Sequence, residues 1–224
     1  MDKTSIKKFA IHARKTLIDS IKKQALSYGI SKKNTLSPTF SSDDAVIING
    51  KVYSKEIKDQ LKDLTARLSN IGYDNLIEEV AYTWFNRFIA IRFMEVNKYL
   101  PINTLVLSSS VRNKVEPDIL TDALKIDLPL DKDKIYFYQD RKDSKGLYKY
   151  LVIALCNHLN KYLPFIFERI NDYTELLFPD NILLSNSFIR KMVDDIPEEN
   201  FTQVEIIGWL YQFFVSERND EVQT

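Results

Sequence analysis

Two arginines stand inside a run of large apolar side chains, "EEVAYTWFNRFIAIRFMEV", Glu78 to Val96. A guanidinium stays protonated in any protein setting, so Arg87 and Arg92 must each reach water, an acid or an anionic ligand. On a helical wheel Arg87 borders Val80, Ile91 and Met94, and Arg92 borders Phe85 and Phe88. Glu78 and Glu95 lie on the same segment but only partly reach them. The expected partners are acids of the second half: Glu168, Asp172, Glu175 or Glu205. A structural pairing of Arg87 and Arg92 with Glu168 and Asp172 is the main expectation, and contact with a ligand stays open beside it.

The other cations cluster at one end. Residues 1–33 carry nine Lys or Arg against Asp2 and Asp19, while residues 171–224 carry eleven acids against three bases, within a chain of net charge zero. Such polarity speaks of partners or of attraction between the two ends, not of fold. From Ser5 to about Tyr28 the pattern is helical, with Ile6, Phe9, Ala10, Ala13, Leu17 and Ile21 as the apolar stripe. Lys7, Lys8, Arg14, Lys15, Lys22 and Lys23 are expected on the opposite side. Six cations there make either a solvated face or a face that follows a nucleic-acid backbone.

Little else could do chemistry. His12 sits among lysines and His158 on an apolar helix face; two lone histidines without cysteines or paired carboxylates make no zinc site. Cys156 reads as a small buried hydrophobe with no visible base. Asp172, Glu175 and Asp180 lack the spacing of a calcium loop. Glu56-Ile57-Lys58 could be taken for part of a metal-dependent nuclease, but that pattern arises by chance in any charged chain. With five glycines there is no G-x-G, no glycine-rich phosphate loop and no G-x-S-x-G. Catalytic, cofactor and metal residues are therefore all expected to be absent.

The elements that must position these groups are mostly helices. Residues 31–44 read as loop, and "AVIINGKVYS", 45–54, as a β-hairpin around Asn49-Gly50. A helix capped by Ser54 follows, with Ile57, Leu61, Leu64 and Leu68 as its stripe and Gly72 as its stop. The opening segment is the next helix, from a cap at Asp74 to Asn97 before Pro101. Residues 102–109, "INTLVLSS", read as a short extended run, a short helix starts near Pro117, and 135–138 could form a strand. Further helices are expected at 146–163, within 164–181, within 185–197 and from about 200 to the end. On the last, Glu205, Gln212 and Ser216 share one narrow edge, so burial on most sides is expected. The fold class is mainly α, a multi-helix bundle-like domain with one small hairpin.

Composition supports a folded, cytoplasmic protein. Hydrophobic residues make up 45% and charged residues 28%, aromatics are plentiful, and one cysteine permits no intrachain disulfide. No apolar run is long enough to span a bilayer, and the start has no signal-peptide pattern.

Three stretches go further than spacing can. "IEEVAYTWFNRFIAIRFMEVNKYLP" (77–101), "LPFIFERINDYTELLFPDNIL" (163–183) and "VEIIGWLYQFFVSERNDEV" (204–222) resemble the N-terminal region of the PglX family. "KKFAIHARKTLID" and "VIINGKVYS" fit that region too. These are large adenine-specific DNA methyltransferases of BREX phage-defence systems, related to fused restriction–modification enzymes. The resemblance implies methyl transfer from S-adenosylmethionine to adenine N6, through an Asn-Pro-Pro-Tyr motif and a glycine-bearing cofactor motif. Neither motif occurs in these 224 residues, so no catalytic or cofactor residue is carried over. The chain is expected to be the helical N-terminal region of such an enzyme, with 1–73 as basic helix, hairpin and connecting helix and 74–224 as helical core. Its expected partners are double-stranded DNA, the enzyme's own C-terminal catalytic region or other phage-defence subunits. The alternative is a protein–protein interaction module that makes no DNA contact.

Overall fold

In the computed structural model the described residues are 3–33, 40–42, 45–170 and 172–222. The chain runs α1 (Lys3–Ser27), β1 (Phe40–Ser41), β2 (Ala45–Ile48), β3 (Lys51–Ser54), α2 (Lys55–Ile71), α3 (Tyr73–Val96) and α4 (Asp118–Thr121). It continues through α5 (Lys132–Asp140), α6 (Ser144–Leu159), α7 (Tyr173–Leu176), α8 (Phe188–Asp195), α9 (Glu198–Phe201) and α10 (Glu205–Val222). The fold is mainly α, with a small antiparallel sheet. Two units divide it: one holds Met1–Thr16, Phe85–Arg169 and Asn181–Thr224, the other Leu17–Trp84 and Ile170–Asp180. Helices α1 and α3 each contribute to both.

In the smaller unit the hairpin forms where Asn49-Gly50 demanded it. Both residues have positive φ, 50° and 75°, the geometry of a two-residue turn that matches strand twist. Val46 pairs with Tyr53 and Ile47 with Val52, so Val46 and Ile48 bury while Val52 faces solvent. The hairpin's partner is the end of α1. There Tyr28 and Tyr53 meet at 5.5 Å between ring centroids, and Asn49 Nδ2 donates to the Ser27 carbonyl at 3.3 Å. Gly29, at φ 78°, ends α1 by turning its chain into the left-handed region. Part of the stretch expected as loop adds β1, with Phe40 opposite Ile47; residues 34–39, 43 and 44 lie outside the described residues.

Helix α2 buries Leu61, Leu64 and Leu68. Ser54 occupies its N-cap position, although its hydroxyl makes no capping bond. The distant segment 170–180 packs in the same unit. Trp84 Nε1 donates to the Thr174 carbonyl (3.1 Å), Gln60 Nε2 to Glu175 (2.9 Å) and Ser20 Oγ to Asp180 (3.3 Å), and the Trp84 ring meets Phe178 edge-on at 4.8 Å.

The larger unit is built around α6, which buries eight residues including Tyr148, Leu151, Leu155 and Cys156. Phe85 stacks on Phe214 at 4.1 Å and Phe88 meets Phe188 at 5.4 Å, tying α3 to α10 and α8. Three sequence expectations change here. Residues 135–138 are helical, within α5, because Asp131 accepts from the amides of Asp133 and Lys134 and only Ile135 turns inward. Residues 102–109 form turns rather than an extended run; their amides go to a side chain described below. The last helix is not buried on most sides: along its first twelve residues only Ile206, Leu210 and Phe214 are buried, a single stripe at four-residue spacing. Of its remaining apolar residues, Ile207, Trp209, Phe213 and Val215 are half-buried and Tyr211 is 46% exposed. Helix α6 itself starts at Ser144 and ends at Leu159, earlier than expected at both ends, since Asp143 caps it by accepting from the Gly146 amide.

Candidate nucleic-acid interface

The apolar stripe of α1 is realised in full, with Ile6, Phe9, Ala10, Ala13, Leu17 and Ile21 all buried. Lys7, Lys8 and Lys15 in the larger unit, and Lys22 and Lys23 in the smaller, are exposed. Arg14 is not part of that face. It is only 3% exposed, with its guanidinium carbon 5.8 Å from the Phe214 ring centroid. The reason is positional: Arg14 follows Ala10 by four and precedes Leu17 by three, so it lies on the stripe. Its aliphatic stem covers apolar surface there. The exposed basic set is thus five lysines.

Of the interior arginines, Arg92 meets two acids outside the expected set. Arg92 donates from Nη1 to Glu95 Oε1 at 2.8 Å and from Nη2 to Glu198 Oε1 at 2.9 Å. Both Arg92 and Glu95 side chains are 1% exposed. Glu95 also accepts from Ser108 Oγ (2.7 Å), from the Leu107 amide (2.8 Å) and from the Val106 amide. One carboxylate therefore accepts from the guanidinium, a hydroxyl and two main-chain donors of the 102–109 turns. For the Glu95 carboxylate that arrangement meets the rule that a buried charge needs both a partner and filled hydrogen-bond capacity. Nearby, the buried Tyr148 hydroxyl donates to the Val106 carbonyl (3.1 Å); burial first, then the Glu95 charge, pushes that phenol well up.

Arg87, 2% exposed, donates from Nη2 to the Glu168 main-chain carbonyl at 3.1 Å. Glu168 thus contributes its backbone carbonyl from the turns after α6, where it is an exposed residue. Asp172 lies in the smaller unit. It caps α7, accepting from the Thr174 amide and hydroxyl at 2.9 and 2.7 Å. The sequence signal missed was local: Arg92 and Glu95 are three apart on one helix, a spacing that puts side chains side by side.

The smaller unit has its own ion pair. Arg67 grips Glu79 with two hydrogen bonds, Nε to Oε1 at 3.1 Å and Nη2 to Oε2, and Tyr173 Oη donates to Glu79 Oε1 at 2.7 Å. The Arg67 bond is the main reason the Glu79 carboxyl sits below its ordinary range. Burial and then the same carboxylate push the Tyr173 phenol up.

A cleft of about 350 Å³ opens beside Glu95, with Lys98, Thr104, Asp118 and Asp122 on its walls. Its acids are already engaged. Asp118 accepts from Ser109 Oγ (2.6 Å) and the Ser110 amide (2.7 Å), and Asp122 from Thr104 Oγ1 (2.9 Å). Burial raises the Asp118 carboxyl, yet these hydrogen bonds outweigh it and leave the group below its usual range. Among the described residues no group of three or more His, Cys, Asp or Glu could hold a metal ion. Burial pushes the Cys156 thiol up to about 12, the wrong direction for a nucleophile. His12 is exposed beside Thr16 and His158 is half-buried against Tyr162. The positive-φ glycines end α1, turn the hairpin and join α2 to α3. No described helix is long and apolar enough to cross a membrane.

No protein-family model matches the chain. It is similar to the adenine-specific methyltransferase PglX of Lacticaseibacillus casei (strain Zhang), 40% identical over 246 aligned positions that cover 98% of the chain and 20% of that protein. It is also similar to the adenine-specific methyltransferase BrxX of Escherichia coli O9:H4 (strain HS), 34% identical over 229 positions, 99% of the chain and 19% of that protein. The chain thus matches an N-terminal region of the PglX family of BREX methyltransferases and spans about a fifth of the length of these relatives.

Proposed function

We propose that the chain is the non-catalytic N-terminal lobe of a cytoplasmic, adenine-specific DNA methyltransferase of a phage-defence system, and that the lysine face of α1 supports DNA engagement. The observation that carries this reading is similarity along nearly the whole chain to a fifth of two adenine-specific methyltransferases. Transfer of the methyl group from S-adenosylmethionine to adenine N6 then belongs to a catalytic region outside these 224 residues. Adenine must leave the duplex before its N6 can react, so such an enzyme has to hold and deform its DNA. Lysines on phosphates fix register without reading sequence. Lys7, Lys8, Lys15, Lys22 and Lys23 are exposed and suited to that task.

Fluorescence anisotropy of the chain with a random duplex, across salt, tests the reading. Changing all five lysines to Gln is expected to flatten the slope of log affinity against log salt by roughly 0.9 for each phosphate no longer neutralised. Unchanged affinity and slope would refute the lysine face.

A specific feature favours a second reading, a protein-docking module without DNA contact. After α6, Tyr162 and Phe165 are 67% and 98% exposed, a concentration of apolar surface that commonly marks a protein interface. Its partner would be the catalytic region or another defence-system subunit. A pull-down against the C-terminal four-fifths of a PglX relative, with and without Phe165→Ser, separates the two.

A further inference from the structure

Helix α5 and the start of α6 carry a surface that the foregoing leaves unused. Tyr136 and Phe137 are each 49% exposed on a nine-residue helix. The Arg141 guanidinium lies over the Phe137 ring at 3.8 Å, Phe137 meets Tyr138 edge-on at 5.5 Å, and Tyr138 leans on Tyr150 at 6.2 Å. The set is held rigidly. Asp143 accepts from the Gly146 amide, and a Cβ at Gly146 would come within 2.6 Å of the Tyr138 ring, so α5 and α6 touch there. Exposed cations stand at both ends of the rings: Lys132 before them, Arg141, Lys142 and Lys145 after. Among the described residues no carboxylate forms an ion pair with any of these four. Of the four acids within 131–143, Asp131 and Asp143 are turned onto helix-capping amides, leaving Asp133 and Asp140 as counter-charges.

Rigid exposed rings flanked by cations are the arrangement that holds unpaired nucleic acid, with bases on the rings and guanidinium and phosphates on the lysines. We propose that the α5 edge is a stacking platform for a single-stranded stretch of nucleic acid, centred on Phe137 and Arg141. This rests on the reading of the chain as a DNA-engaging lobe, because extracting a base leaves its strand locally unpaired. It adds a second contact of a different kind, one that recognises base faces rather than duplex phosphates.

The test is anisotropy of the chain with a 20-nucleotide single strand, and separately with the duplex. The Tyr136→Ala, Phe137→Ala double variant is expected to weaken single-strand binding by roughly fivefold or more, the loss of one stacked base. Phe137→Trp retains binding, Arg141→Gln with Lys142→Gln and Lys145→Gln weakens it, and Asp140→Asn tightens it by removing a charge that repels phosphate. Duplex binding through the α1 lysines is unaffected by the ring changes, so failure here is separable from failure of the broader reading. Single-strand binding that is absent, or equal to wild type in both the ring and the cation variants, overturns the proposal. So does Asp140→Asn weakening binding while the ring variant loses capture of a PglX catalytic region, which would make the edge a protein-docking surface.

Discussion

The two ion pairs make an instructive contrast. Arg92 and Glu95 are both 1% exposed and lie in the larger unit; Arg67 and Glu79 are 41% and 33% exposed and lie in the smaller. Geometry alone would rank the second higher, since Arg67 holds both oxygens of its partner. Burial reverses the order. A charge without water depends wholly on its partners, whereas a half-exposed pair exchanges one set of polar contacts for another at little net gain. Glu95 carries a further duty, as acceptor for the Val106 and Leu107 amides that would otherwise be buried without partners.

That contrast can be broken by mutation. Glu95→Ala is expected to have the largest effect, a loss of about 3–5 kcal/mol in urea unfolding, because it removes the buried partner of Arg92, leaving only the exposed Glu198, and orphans the Val106 and Leu107 amides. A loss near that of an exposed substitution would show that water reaches the site. The Arg92→Met, Glu95→Leu double variant sharpens the cause. Removing both charges recovers much of the loss, but two orphaned amides keep the protein about 1–3 kcal/mol or more below wild type. Full recovery would mean that Glu95 serves only its arginine. Glu198, whose side chain is 67% exposed, supplies the other carboxylate on Arg92, and Glu198→Ala should cost below about 1 kcal/mol in the same assay.

Smallest is Glu79→Gln, expected to lower the melting midpoint by no more than about 2–4 °C. Its pH signature is more telling than its size. The folded Glu79 carboxyl sits below its unfolded value, so the folded state releases that proton first. Its stabilisation is complete above the ordinary glutamate range and is lost as pH falls through the folded value. An acid scan of wild type should therefore show a limb that Glu79→Gln lacks; coincident limbs would remove Glu79 from the acid response.

Most elements are legible because their signals are local. The apolar spacing of α1, Asn49-Gly50 in the hairpin and the leucine stripe of α2 depend on residues within a turn or two of each other. Strand-like Tyr136-Phe137-Tyr138 misleads for the same reason: aromatic density suggests a strand, while the Asp131 cap that starts α5 is a single residue easily taken as loop. The last helix misleads through composition, since an apolar residue is compelled inward only when another element covers it. Position 14 misleads through type, because an arginine among lysines is grouped by charge although its spacing places it on the buried stripe.

By itself the sequence determined a mainly helical chain with one hairpin, exposed lysines along its first helix, arginines committed to an interior, and kinship to PglX methyltransferases. Only the tertiary structure decided which groups fold back onto the arginines. That choice depends on which loops fold back against α3: the 102–109 turns bring amides that fix Glu95 beside Arg92, and the turn after α6 brings a carbonyl to Arg87. Contacts between residues so far apart in the chain leave no periodic trace, because each is specified by the packing of whole elements rather than by the spacing of neighbours.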